Sequence, residues 1–183
     1  MTASPPKATP FGEGVYFPAR DYASVQTRLL ILLVDVAVLW LVWIVLALAL
    51  PLLSWSYADY SSMVLSRLLV VYLYLVPLKV SPVRTVGFRL AGVKIVTLKG
   101  ARPSILRMTF RLFLWLFGPF FNVVYDLLWL AGDECRQSIR DKVSGTYVIK
   151  NNAVALGVRP IRLVYLFCFG LNLACLEVKR PPP

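Results

Sequence analysis

The chain has 183 residues, of which 58% are hydrophobic and 13% aromatic, and its mean hydropathy is +0.70. An ordinary soluble domain holds about 45–50% apolar residues, so this composition excludes one and points to a membrane. The net charge of +11 sits mainly between apolar runs with no DNA-binding motif beside it, which argues against nucleic acid as a partner. The absence of histidine removes Ser-His-Asp and Cys-His catalysis together with the usual His metal sites.

Residues 1–20 carry Pro5, Pro6, Pro10 and Pro18 and no apolar h-region, so a flexible arm leading into an uncleaved span is expected. Asp21 is the expected N-cap of a helix beginning near Tyr22. Residues 29–53 then hold a single charge, Asp35. About 20 apolar residues cross a bilayer of ~30 Å, so this run predicts a transmembrane helix. A carboxylate inside a span costs ~2.5–3.5 kcal/mol on insertion scales and demands a partner. Arg28 lies seven residues earlier on the same stripe, near the membrane rim. Pro51 closes the run, and Trp55, Tyr57 and Tyr60 form an interfacial aromatic belt.

Residues 61–78 predict a second span containing Arg67, with Pro77 near its end. Between Lys79 and Arg111 there are eight Lys or Arg and no acid. The positive-inside rule therefore puts this segment and the N-terminus in the cytoplasm. Antiparallel spans would bring Asp35 to either Arg28 or Arg67. Arg67 has the further option of snorkelling to the outer headgroups. Residues 93–98 have strand composition, Lys99-Gly100 signals a turn and Pro103-Ser104 caps a new helix. Residues 146–150 are the expected partner strand, followed by a turn at Asn151-Asn152 and a further strand over 153–156.

Residues 105–130 are apolar but broken by Gly118-Pro119, with Asn122 and Asp126 on one face. Six basic residues follow in 131–162, so both flanks read as cytoplasmic. The segment is expected to re-enter the same side, or else to cross as a third span. Asp126 reads as a packing residue, bonded to Asn122 or paired with an arginine. Residues 161–176 are too short for a normal span and predict an interfacial or docked helix, with Cys168 and Cys175 on it. The three cysteines, Cys135 included, form no C-x-x-C pair and read as free thiols.

The fold expected is thus an all-α membrane protein: two transmembrane helices, a re-entrant or third membrane segment and a small cytoplasmic β element. The expected units are an arm over 1–20, a membrane domain over 21–152 and a C-terminal helix and tail over 153–183.

Arg28 at the mouth of the first span, Asp35 within it and Asp141 in the stretch 136–146 stand in the order that resembles the RDD family, named for one arginine and two aspartates. The segment Ser81-Pro82, Arg84, Gly87, Gly92 and Val96 is similar to that family's Thr-Pro-Gly-Lys…Gly…Val-Val element. Residues 145–149 are similar to its Gly-Thr-x-Val-Val ending. Arg140 stands where many members have histidine, and Val83 where they have glycine. The resemblance covers roughly residues 20–150. It implies a multi-pass bacterial-type inner-membrane protein, with some members linked to cation/proton antiport.

Two readings follow. In one, Asp35 is the titrating or cation-binding group of an oligomeric transporter, biased by Arg28 or Arg67, with Asp141 at the cytoplasmic mouth. In the other, the chain is a non-catalytic subunit that assembles with a membrane partner, and Asp35 is a static ion pair. No cofactor, metal or catalytic residue is expected. The basic 79–111 segment is expected to meet anionic lipid headgroups.

Overall fold

The computed structural model describes residues 11–52, 60–116, 119–133, 135–168 and 171–178. Helix α1 runs Val25–Leu52. Its cap is Ser24, whose Oγ accepts from Thr27 N at 3.2 Å. Asp21, the expected cap, instead closes a short 3-10 turn over Ala19–Asp21. At ~1.5 Å per residue α1 is about 42 Å long, and its Val25–Ala49 stretch is long and apolar enough to cross a membrane. Only a narrow stripe of α1, Ile31, Asp35 and Leu39, is buried, at the i, i+4, i+8 spacing of one helix face. Leu33, Leu41 and Leu48 are more than 60% exposed, an apolar surface that water does not favour but lipid does.

Helix α2, Tyr60–Leu73, continues into a π-helical turn over Tyr74–Leu78 that contains Pro77. Its apolar stretch, Met63–Leu78, is shorter than a full span. Proline has no N–H to give the α-helical ladder, and the chain answers with the wider i→i+5 turn. Widening brings residues five apart, Tyr74 and Lys79, nearer to one face than the 3.6-residue period allows.

A short helix α3, Val86–Leu90, leads to strand β2, Val93–Thr97. Helices α4, Ile105–Leu116, and α5, Pro119–Gly132, follow; Gly118, part of the expected re-entrant tip, lies outside the described residues. Helix α6, Ile139–Ser144, ends at Gly145, where φ is +60°, and β3, Thr146–Lys150, returns to pair antiparallel with β2. Thr97 faces Thr146 in that pairing, so the chain between them leaves the sheet and comes back to the same edge. The α4–α5 pair is therefore an out-and-back excursion.

The expected all-α architecture is overturned. The described residues form five strands in two sheets. Besides β2–β3 there is a three-stranded antiparallel sheet ordered β1–β4–β5, in which β1 is Glu13–Tyr16, β4 Gly157–Cys168 and β5 Leu171–Val178. The helix expected over 161–176 is a β-hairpin, and the strand expected over 153–156 starts instead at Gly157. Val158, Ile161, Val164, Tyr165 and Phe167 are β-branched or aromatic, and Ile161 opposite Val178 plugs both strands into the core. Residues 13–16, expected in a flexible arm, pair with β4, so this sheet joins both ends of the chain.

The β2–β3 sheet is the middle layer. Alternation along it sends Val93, Ile95 and Val148 to one face, where they pack with Ala23, Ile31, Val76, Phe88 and Met108. Val96, Tyr147 and Ile149 go to the other, against Phe17, Tyr22, Ile161 and Val178. Phe17, Tyr22 and Tyr147 meet there edge to face, with ring centroids 5.4–6.3 Å apart. The start of α1, the end of the π turn and the start of α4 pack on this β layer, while the end of α5 is tied to α6. The aromatic belt expected at Trp55 and Tyr57 lies outside the described residues.

Candidate functional site

Two buried carboxylates join the helices to one another, and each is held differently. Asp141 sits at the third position of α6. Ser138 Oγ accepts from Asp141 N at 3.3 Å, and Asp141 Oδ2 accepts from Ser138 N at 3.2 Å, a reciprocal capping box. The same carboxylate takes two guanidinium groups: Arg28 Nη1 lies 2.5 Å from Oδ2, and Arg111 Nη2 lies 2.5 Å from Oδ1. Arg28 also donates to the Arg136 carbonyl at 2.7 Å, and Arg111 to Thr146 Oγ1 at 3.2 Å. Three elements, α1, α4 and α6, are thus joined on one fully buried anion. Burial pushes the Asp141 carboxyl up, but Arg111 and Arg28 pull it down harder, to about 2. Lys142, the next residue, pairs with Asp133 at 2.5 Å and Glu177 at 3.3 Å, tying α6 to β5.

Asp35 is held mainly by neutral donors. Tyr74 Oη donates to Oδ1 at 2.9 Å, Gly87 N to Oδ1 at 2.9 Å and Thr85 Oγ1 to Oδ2 at 3.0 Å. Its cation is Lys79, whose Nζ stands 3.8 Å from Oδ2 and 4.7 Å from the centre of the Phe88 ring. Burial brings the Lys79 ammonium down to about 8, although Asp35 opposes the shift. Gly87 is required for the close approach of α3 to α1. A Cβ there would lie 2.7 Å from both Asp35 Oδ1 and the Ile31 carbonyl.

Asp35 therefore meets neither Arg28 nor Arg67. Arg28 reaches past it to Asp141, and Arg67 is exposed on α2 with no ion pair among the described residues. Asp126 on α5 pairs with Arg140 Nε on α6. The side chain of Asn122, its other expected partner, lies outside the described residues. Sequence reasoning missed Tyr74, Lys79, Thr85, Gly87 and Arg111 as partners. Arg111 was readable as a second cation on α4 with no acid within a turn. Tyr74 and Lys79 are aimed by the π turn at Pro77, which no periodicity announces, and Thr85 and Gly87 arrive with α3.

Between the two centres lies a cavity of about 330 Å³. Arg28, Lys79, Arg111 and Arg140 line it together with Asp35 and Asp126, and the rest of its wall is largely apolar. Among the described residues no group of His, Cys, Asp and Glu side chains could hold a metal ion.

A bilayer-length apolar helix, clamped by buried ion pairs onto a small β layer, defines an integral membrane protein with a charged core at one end of its helices. The family model described as "RDD family" matches residues 22–145, and the chain belongs to that family. No curated protein and no solved structure matches it. The matched region contains Arg28, Asp35 and Asp141, and it ends before β3, β4 and β5.

Proposed function

We propose that this protein is a multi-pass, inner-membrane subunit without catalytic chemistry of its own, whose buried charges fix a membrane-embedded helical part onto a cytoplasmic β layer for assembly with other membrane chains, a second copy included. One observation carries the reading: both carboxylates are held from several elements at once, Asp141 by two guanidiniums and its cap, Asp35 by three hydrogen-bond donors. An exchange site needs a carboxylate with open coordination, whereas these are built as fixed joints. The convergence of the helix ends on one basic layer supports an N-terminus in the cytoplasm, with α1 and α2 crossing and α4–α5 re-entering. The exposed apolar face of α1 supports contact with lipid and with neighbouring chains.

Proton-coupled cation transport is the second reading, favoured by the loose Lys79–Asp35 pair, which faces a cavity. Cation-dependent proton flux in proteoliposomes, compared between the native chain and Asp35→Asn, separates the two. Absence of flux in both, with a defined homo-oligomer or a stoichiometric membrane partner retained by both, supports the assembly reading. Flux that Asp35→Asn abolishes while the protein stays folded overturns it in favour of transport.

A further inference from the structure

The cavity has a polar end and an apolar end. At the polar end four cations, Arg28, Lys79, Arg111 and Arg140, stand against two carboxylates, Asp35 and Asp126. Arg28 and Arg111 are committed to Asp141, which lies behind them. Lys79 and Arg140 are less occupied. Lys79 Nζ is 3.8 Å from Asp35, beyond hydrogen-bond length, so its N–H donors have no acceptor among the described residues. Arg140 engages Asp126 through Nε, and its two terminal amino groups make no hydrogen bond among the described residues. These two side chains also keep the most open surface of the four, 19% and 27%, against 13% and 11% for Arg28 and Arg111.

The apolar end leads outward. Leu39, Trp43, Leu112 and Trp115 wall the cavity, while Leu29, Val36 and Trp40 line it and are also exposed on the outer surface of α1. The cavity therefore opens on the face that lipid covers. A small hydrated anion would satisfy the cations but leave the apolar wall unused. A neutral lipid would do the reverse. The volume is at the low end of the ~300–1,000 Å³ of small-molecule sites, enough for a headgroup and its first methylenes while the chains continue into the bilayer.

We infer that this cavity binds an anionic phospholipid, with the phosphate between Lys79 and Arg140 and the acyl chains leaving past Val36 and Trp40. The cations come from two elements, the end of the π turn and α6, so the lipid bridges α2 to α6. The inference rests on the membrane placement proposed above but not on the assembly role, and the two fail separately.

The test uses the full chain in a neutral detergent, with phosphatidylglycerol, phosphatidylcholine and inorganic phosphate as probes, read by native mass spectrometry and by thermal shift. The expected result is one phosphatidylglycerol bound per chain, at least tenfold more tightly than phosphatidylcholine, with no displacement by inorganic phosphate. Lys79→Gln and Arg140→Gln should each weaken it about fivefold, the factor one basic residue contributes near an anionic lipid. Arg89→Gln, an exposed cation on α3, should leave it unchanged. Val36→Trp keeps every charge and fills the mouth of the cavity, so it should exclude the lipid even where the charge variants fold poorly. Equal binding of the two lipids, displacement by inorganic phosphate, or native affinity in Val36→Trp would each overturn the proposal.

Discussion

Asp141 and Asp35 both lie within the family-matched region and are both buried, yet they are stabilised in opposite ways. Asp141 is balanced by charge: two guanidiniums at 2.5 Å from two different helices. Asp35 is balanced by dipoles, a phenol, a hydroxyl and a backbone amide, with its ammonium set back at 3.8 Å. The contrast teaches that shared family letters need not mean shared chemistry. The first carboxylate locks α1 and α4 to α6. The second holds α1 against α3 and the π turn, and borders the cavity. The sharpest way to break this comparison is to show that the two respond alike to loss of charge.

The largest effect is expected at Asp141. Asp141→Ala leaves two buried guanidiniums without their anion and removes half of the α6 capping box. Breaking a buried ion pair from one side costs about 3–5 kcal/mol, so the variant should lose most of its folded population in detergent, measured by thermal unfolding or limited proteolysis. Acid makes the same test without mutation. The Asp141 carboxyl lies near 2 in the fold against 3.8 free. Its contribution is therefore full above about pH 4 and fades as pH falls through 2, by an amount on the order of 2 kcal/mol. The acid-induced loss should be absent from Asp141→Asn, which is already destabilised at neutral pH.

Next comes Gly87→Ala. The added Cβ meets a carboxylate oxygen and a backbone carbonyl, neither the far end of a flexible side chain, so α3 must back away from α1. Overpacking of this kind costs about 1–3 kcal/mol. Asp35→Asn should be milder, about 1 kcal/mol, because an amide oxygen still accepts from Tyr74 or Gly87 and the Thr85 hydroxyl can turn to accept. If Asp35→Asn proves as costly as Asp141→Ala, the dipolar account of Asp35 is wrong and Lys79 is its main partner. Thermal midpoints of the three variants, taken in one detergent, decide the order.

These residues also mark where sequence reading stopped. The β2–β3 pair was legible because 93–98 and 146–150 carry β-branched runs bounded by Gly and Asn turns. The β4–β5 hairpin was not legible: residues 161–176 are apolar on both sides of each strand, so period-2 alternation is lost and only length argued against a span. Antiparallel spans offered Asp35 to Arg28 or Arg67, but Arg28 pairs with Asp141 instead. Depth along a helix orders neighbours on adjacent spans, whereas the partner of Arg28 stands 113 positions away on α6. Lys79 and Tyr74 were missed because a π turn, not an α turn, aims them.

The smallest effect is expected at Arg67, and it tests whether a charge within an apolar stretch marks a partner. Arg67 is as conspicuous in the sequence as Asp35, but its side chain is exposed on α2 with no ion pair among the described residues. A long arginine stem can carry its head to an interface without a protein partner. Arg67→Gln should therefore change thermal stability by no more than about 0.5 kcal/mol, the usual range of a surface substitution. Arg28→Gln, which strips Asp141 of one of its two guanidiniums, should cost several times that. A large effect at Arg67 together with a small one at Arg28 would mean that the membrane-facing charge, and not the lock on Asp141, organises the fold.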